Sequence, residues 1–183
     1  MEIIKKLYIP LQLPYEFYLD EEPVLGFEGD FAFLSNFHLH PVLLPTGILP
    51  SSEHAYMIEK DSDPVYKKKI REAKTPGQAK RIGYTAKLPD DWDAVRRFTA
   101  MHEALKRKFV DPLMAHGLLS TGLAYLEETN RHNDKFWGRC NGEGRNHLGR
   151  QLMVIRYMLL NNLLAIRMEK APPISTGGAF SLV

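Results

Sequence analysis

Cysteine is nearly missing from this chain: Cys140 stands alone, which excludes an internal disulfide and any zinc site built on cysteines, and agrees with a reducing compartment. Long apolar runs are missing too. Leu159-Leu160 and Leu163-Leu164-Ala165-Ile166 are split by Asn161-Asn162 and closed by Arg167, well short of the roughly 18 residues that span a bilayer. Met1 to Pro10 holds two lysines but no extended apolar stretch and no small-residue cleavage site. A secretory signal is therefore not expected, and the default compartment is the cytoplasm. Internal repeats, low-complexity tracts and interior linkers are also lacking. His38 and His40 share a strand face without a surrounding cluster of ligand spacing, and Cys140 with His147 has no visible orienting group. Neither a metal nor a cofactor is expected, and the thiol reads as inert.

What is present is ordinary globular composition, 183 residues of which 44% are hydrophobic and 25% charged, sufficient for one domain with a buried core. The net charge of +2 conceals an uneven distribution. Residues 1–30 carry two basic and seven acidic groups, whereas residues 60–108 carry fourteen basic and seven acidic ones. Such a middle prefers an anionic partner, although runs such as Lys67-Lys68-Lys69 and Arg96-Arg97 are first of all solvated helix faces. A phosphate-bearing substrate, nucleotide or nucleic acid, is easier to accept than a neutral one.

Residues 1–25 read as an extended lead-in, 26–168 as the domain, and 169–183, with Pro172-Pro173 and Gly177-Gly178, as a tail. Phe31 to Leu49 is aromatic and aliphatic between Pro41, Pro45 and Gly47, the pattern of short strands and turns. Helices follow. Ser51 or Ser52 caps a helix through Glu53 and Tyr56, and Thr75-Pro76 opens another. A third helix starts near Asp90-Asp91 and buries Ala94, Phe98, Met101, Leu105 and Phe109. The last starts near Asn146 and buries Leu148, Leu152, Ile155 and Leu159. The expectation is a mainly helical α+β domain with a small sheet drawn from the N-terminal third and from the region Tyr125 to Trp137.

Four segments are more polar or aromatic than their positions require. In Phe33-Leu34-Ser35-Asn36-Phe37, Ser35 and Asn36 interrupt an apolar strand, and the amide either ends the strand or meets ligand hydroxyls. Glu53 lies in a helix first turn beside His54, as a dipole partner or as a functional carboxylate. Lys74-Thr75-Pro76-Gly77 leads on to Trp92, which is either core or a surface for stacking on a base. Finally, Asp134 to Gly138 runs through Gly142-Glu143-Gly144-Arg145-Asn146 to Arg150, where glycines before a helix let backbone N–H groups approach an anion.

Taken in order, these segments resemble the YbiA-like, or NADAR, family over roughly Gly26 to Leu159. The match rests on Phe33 to Phe37, Pro50 to Tyr56, Ala73 to Gly83, Asp91-Trp92, Lys108-Phe109, Thr121-Gly122, Asp134 to Gly138 and Asn146 to Arg150. Two positions depart from the pattern: Ala32 stands where the family often has glycine, and His132 where it often has tryptophan, the latter bearing on how a leaving group is held.

The resemblance implies the YbiA-like fold and hydrolysis of a bond from ribose to nitrogen, either in early riboflavin-pathway ribosylamino-pyrimidine intermediates or in ADP-ribosylated guanine of nucleic acid. Breaking that bond builds positive charge on the sugar and needs water at its anomeric carbon, both served by carboxylates. By the same matching Glu53 and Asp134 are the catalytic pair. Asn36 contacts ribose, Trp92 or Trp137 stacks on the base, and Ser35, Lys74, Asn146 and Arg150 belong to the substrate site with Lys74 and Arg150 on phosphate. The alternative is a non-catalytic sensor that binds ADP-ribose or a related nucleotide.

Overall fold

A computed structural model describes residues 22–169, and the side chains of 22–161. The tail from Ala171 and most of the lead-in lie outside the described residues. The chain folds as the expected α+β domain, in which helices build the body and strands are short. Among the described residues, no helix is long and apolar enough to cross a membrane.

Strand β1 (Val24–Leu25) pairs in parallel with β4 (Leu126–Glu127), so the N-terminal entry is tied to the far third of the chain. Strands β2 (Leu39–Leu44) and β3 (Gly47–Ser51) form an antiparallel hairpin with a register shift between Leu39 and Val42, the stretch holding Pro41. Strands β5 (Thr129–Asn130) and β6 (Arg139–Cys140) pair in parallel. The single small sheet expected from sequence is thus three separate pairs. Phe33 to Phe37 is not a strand either. Gly29–Leu34 is a 3₁₀ helix, followed by a turn in which Ser35 Oγ accepts the Phe37 N–H at 3.1 Å. Short hydroxyls that bond their own backbone favour turns over ladders.

Helix α1 (Ser52–Met57) starts on Ser51, whose hydroxyl accepts the His54 N–H at 3.3 Å, and every one of its six residues is buried. Helix α2 (Pro64–Glu72) is capped by Asp63, α3 (Pro76–Gly83) by Thr75, and α5 (Pro112–Ser120) by Asp111. Each of these three has proline in its first turn, where the missing N–H would have had no partner. Helix α4 (Arg97–Lys108) follows a π-helical turn, Trp92–Arg96. That extra residue per turn changes the buried stripe: Met101, Leu105 and Phe109 are core as expected, but Ala94 is exposed and Trp92 takes the inward place. Helix α6 (His147–Glu169) buries Leu148, Leu152 and Ile155, with Leu159 packed at the edge. A six-residue helix closed in on all sides is what carries Glu53 into the interior.

Candidate active site

A cleft of about 560 Å³ opens over α1, the Ser35-Asn36-Phe37 turn and the loop 128–137, a size usual for small-molecule sites. Ser35, Asn36, Glu53, Asp134 and Trp137, spread over a hundred positions of sequence, all line it.

At the floor is Glu53, only 2% exposed. Its backbone N–H donates to the Asn36 carbonyl at 2.9 Å, and the Asn36 carboxamide donates to Glu53 Oε2. Burial pushes the Glu53 carboxyl up to about 7, against the pull of Lys80, Lys60 and the Asn36 amide, with Asp134 adding to the rise. A carboxyl poised there can exchange a proton at neutral pH.

The turn that presents Asn36 is held from beneath by Lys108. This lysine is fully buried, and its ammonium donates to the Phe33 carbonyl and, at 2.8 Å, to the Ser35 carbonyl. Burial lowers it to about 7. The Phe33 carbonyl thereby gains a donor, and the Ser35 carbonyl, which also accepts the His38 N–H at 3.1 Å, gains a second one.

Asp134 is oriented by its own loop. Its Oδ1 accepts the N–H groups of Phe136 at 3.0 Å and Trp137 at 2.8 Å, while its backbone is gripped at both ends by the buried Asn130 side chain. Gly138 makes this possible: a Cβ there would stand 2.2 Å from the Glu128 carbonyl and 2.7 Å from Asn130 Nδ2. The walls are aromatic. Tyr56 meets Trp137 edge-on at 5.5 Å, and Phe136, Phe98 and His147 pack behind, with the Arg97 guanidinium 3.7 Å over the Phe136 ring.

Four residues expected in the site do not line this cleft. Trp92 is 3% exposed and lies against Tyr56 at 5.5 Å, a core residue backing the wall rather than a free surface for a base. Lys74 is exposed on the α2–α3 connection, where its N–H is taken by Gln78 Oε1. Asn146 is 1% exposed and braces backbone, accepting the Glu128 N–H at 3.0 Å and donating to the Leu126 carbonyl at 2.8 Å. Arg150 is half-buried on α6 and acts on the neighbouring His147, whose imidazole burial and nearby arginines depress to about 4. The glycine loop before α6 offers no free anion cradle: the N–H groups of Arg145, Asn146, His147 and Leu148 are spent on the carbonyls of Lys135, Gly138, Phe136 and Trp137.

Sequence reasoning passed over Tyr56, Lys60, Lys80 and Glu128, all of which line the cleft. Lys80 sits in the Ala73 to Gly83 segment that carried the resemblance, and its ammonium lies 5.6 Å from the Phe37 ring at the mouth. Lys60 reaches over the rings of Tyr56, Tyr84 and Trp92 at 5.8 to 6.0 Å. Much of the remaining basic stretch is solvated face, as with Lys68 beside Glu72 and Arg96 beside Asp91. Glu128 is half-buried, and one of its carboxyl oxygens, Oε2, is buried without a hydrogen-bond partner.

Carboxylates gathered under aromatic walls, with lysines at hand for an anion, are the equipment of a glycoside-cleaving site. The sequence matches the NADAR domain over residues 17–160, and the chain belongs to the NADAR family. It is 34% identical over 134 residues to the N-glycosidase YbiA of Escherichia coli (strain K12), covering 71% of this chain and 82% of that protein. Identity with the N-glycosidase Npun_R5314 of Nostoc punctiforme is 35% over 136 residues, covering 70% and 86%. The riboflavin biosynthesis protein VVA0006 of Vibrio vulnificus is 36% identical over 142 residues, which are 74% of this chain but 38% of that protein. In three dimensions the chain is similar to the NMR structure of E. coli YbiA, with a TM-score of 0.68, 29% identity, and 85% of this chain and 92% of that one covered.

Proposed function

We propose that this protein is an N-glycosidase that hydrolyses the N-ribosyl bond of a phosphorylated or ADP-ribose-type nucleoside. The observation that carries the reading is the convergence of Asn36, Glu53 and Asp134 beneath Tyr56 and Trp137 in one cleft. Similarity to proteins named N-glycosidases over more than four fifths of their length supports the reaction class. The substrate is either ADP-ribosylated guanine in nucleic acid or a ribosylamino-pyrimidine of the riboflavin pathway.

In this reading the ribose lies over the Asn36–Glu53 pair, and the base stands against Trp137. Asp134, held by two backbone donors, presents fixed negative charge to the sugar as C1 becomes cationic. Glu53 takes the proton of the attacking water, since a base works best when its pKa is near the operating pH. Lys80, which makes no ion pair with a described residue, supplies the charge for a substrate phosphate in place of Lys74 and Arg150.

The test is incubation with ADP-ribose, ADP-ribosyl-guanine DNA and phosphorylated riboflavin-pathway ribosides, with mass spectrometry of the released base. Release from one of them, abolished by Glu53→Gln, is the expected result. Tight binding of ADP-ribose with no release from any substrate overturns the reading in favour of a sensor.

A further inference from the structure

We propose that Glu128 is a third catalytic carboxyl, the acid that protonates the departing nitrogen; the assignment rests on the N-glycosidase reading above. Glu128 lines the cleft alongside Asp134, and it is also shared with an adjoining cavity bounded by Gly26, Glu28, Thr129 and His132. It therefore stands at the seam between the two spaces, on the wall of the cleft that holds Asp134 and Trp137.

Its environment differs from that of the other two carboxyls in kind. Glu53 receives the Asn36 amide and faces Lys80 and Lys60. Asp134 receives two backbone N–H groups. Each of these two carboxyls thus already has hydrogen-bond donors on its oxygens. Glu128 Oε2 has no donor, and the charged groups facing the side chain are Asp134 and Glu28, with Lys80 alone in opposition. Burial first, and then those two carboxylates, push its carboxyl up to about 7. Burial raises Glu53 just as far, so what sets Glu128 apart as the acid is the missing donor at Oε2, the oxygen free to hand a proton to a ligand nitrogen. A buried oxygen left without a partner is also the position where a ligand atom is missing.

The backbone holds Glu128 for such a task. Its N–H donates to Asn146 Oδ1 at 3.0 Å, its carbonyl accepts the Arg139 N–H at 2.8 Å, and Gly138 and Gly149 leave no room for a side chain beside the carbonyls of Glu128 and Leu126. The buried Asn146 is by this route a positioning residue for Glu128.

In the reaction the C1–N bond breaks with its electron pair on nitrogen, which takes the Glu128 proton. The water oxygen bonds to C1, and the water proton passes to Glu53. Transfer of one proton through solvent from Glu53 to Glu128 restores the site, so the sum is riboside plus water giving free sugar plus protonated base. No other reactant is required.

The test compares wild type with Glu128→Gln, which is isosteric, and Glu128→Asp, across 5′-phosphoribosides whose bases differ in basicity. The expected result for Glu128→Gln is a kcat lower by about 10²- to 10⁴-fold, a KM and melting temperature near those of wild type, and a loss that grows as the leaving nitrogen becomes a poorer leaving group. Glu128→Asp is expected to recover part of kcat. Equal loss across the series, loss confined to KM, or unchanged turnover overturns the assignment while the N-glycosidase reading stands. Absence of base release by wild type from every substrate overturns both.

Discussion

Asn36 and Glu53, seventeen residues apart, are joined twice, by the Glu53 N–H to the Asn36 carbonyl and by the Asn36 amide to the Glu53 carboxylate. The amide bond favours the ionised carboxylate, so it works against the burial that raises Glu53 to about 7. In Asn36→Ala that help is lost and Glu53 stays protonated to higher pH. The acid limb of the kcat/KM profile is expected to move upward, with the backbone bond intact. An unmoved limb would show that Glu53 is not the titrating base.

Glu53→Gln and Asp134→Asn are each expected to lower kcat by about 10²- to 10⁴-fold without loss of cooperative unfolding. Single-turnover base release measures the first, and thermal melting the second. Full turnover in both variants would contradict the assigned pair.

Stability carries the same carboxyl's signature. The folded Glu53 holds its proton up to about 7, against 4.5 for its ordinary value. Its contribution is therefore favourable below about 4.5, is lost progressively as pH rises to about 7, and stays lost above that. A shift of this size corresponds to roughly 3 kcal/mol. Urea unfolding of Glu53→Gln is expected to show a flatter pH dependence than wild type between pH 5 and 8, and a more stable protein at pH 8.

Lys108→Met strips the donor from the Phe33 and Ser35 carbonyls. The Ser35 carbonyl keeps the His38 N–H, so the cost expected is about 1–3 kcal/mol for the loss at the Phe33 carbonyl, measured by denaturant midpoint. Turnover should fall along with it, because the turn that aims Asn36 loses its anchor. A variant as stable and active as wild type would mean that the turn is self-supporting.

Two lysines separate by place. Lys80→Ala is expected to weaken binding of ribose 5-phosphate and to flatten its salt dependence, whereas Lys74→Ala, outside the cleft, should do neither. Calorimetric titration at two ionic strengths distinguishes them.

Much of the helical frame was legible in the chain. Thr75 followed by Pro76 announced α3 through a local cap, whereas α2 and α5, which start on Asp63-Pro64 and Asp111-Pro112 with caps of the same kind, were not anticipated. The α6 stripe was legible too, since Leu148, Leu152 and Ile155 follow the helical period. The α4 stripe was legible only in part. A π-turn is set by packing around Trp92, and nothing in residues 92–96 announces it. Likewise Phe33 to Phe37 looks extended by composition, yet it is a locally bonded turn braced by a lysine more than seventy positions away.

For the site, residue chemistry alone marked only polar and aromatic segments with structural readings beside the functional ones; it was the family resemblance that singled out Glu53, Asp134, Asn36, Ser35 and Trp137, together with Trp92, Lys74, Asn146 and Arg150, which do not line the cleft. Sequence order could not separate Trp137 from Trp92, or Lys80 from Lys74, since each pair has the same chemistry and differs only in which way the backbone turns it. Nor could it tell Glu128 from Glu127. Those adjacent acids point to opposite fates, Glu127 to a 3.0 Å ion pair with Arg139 and Glu128 to the cleft with an unpartnered oxygen. Residue chemistry and local capping are properties of the chain. Burial, and the choice of which charges face one another, arise only when distant segments close around the same space.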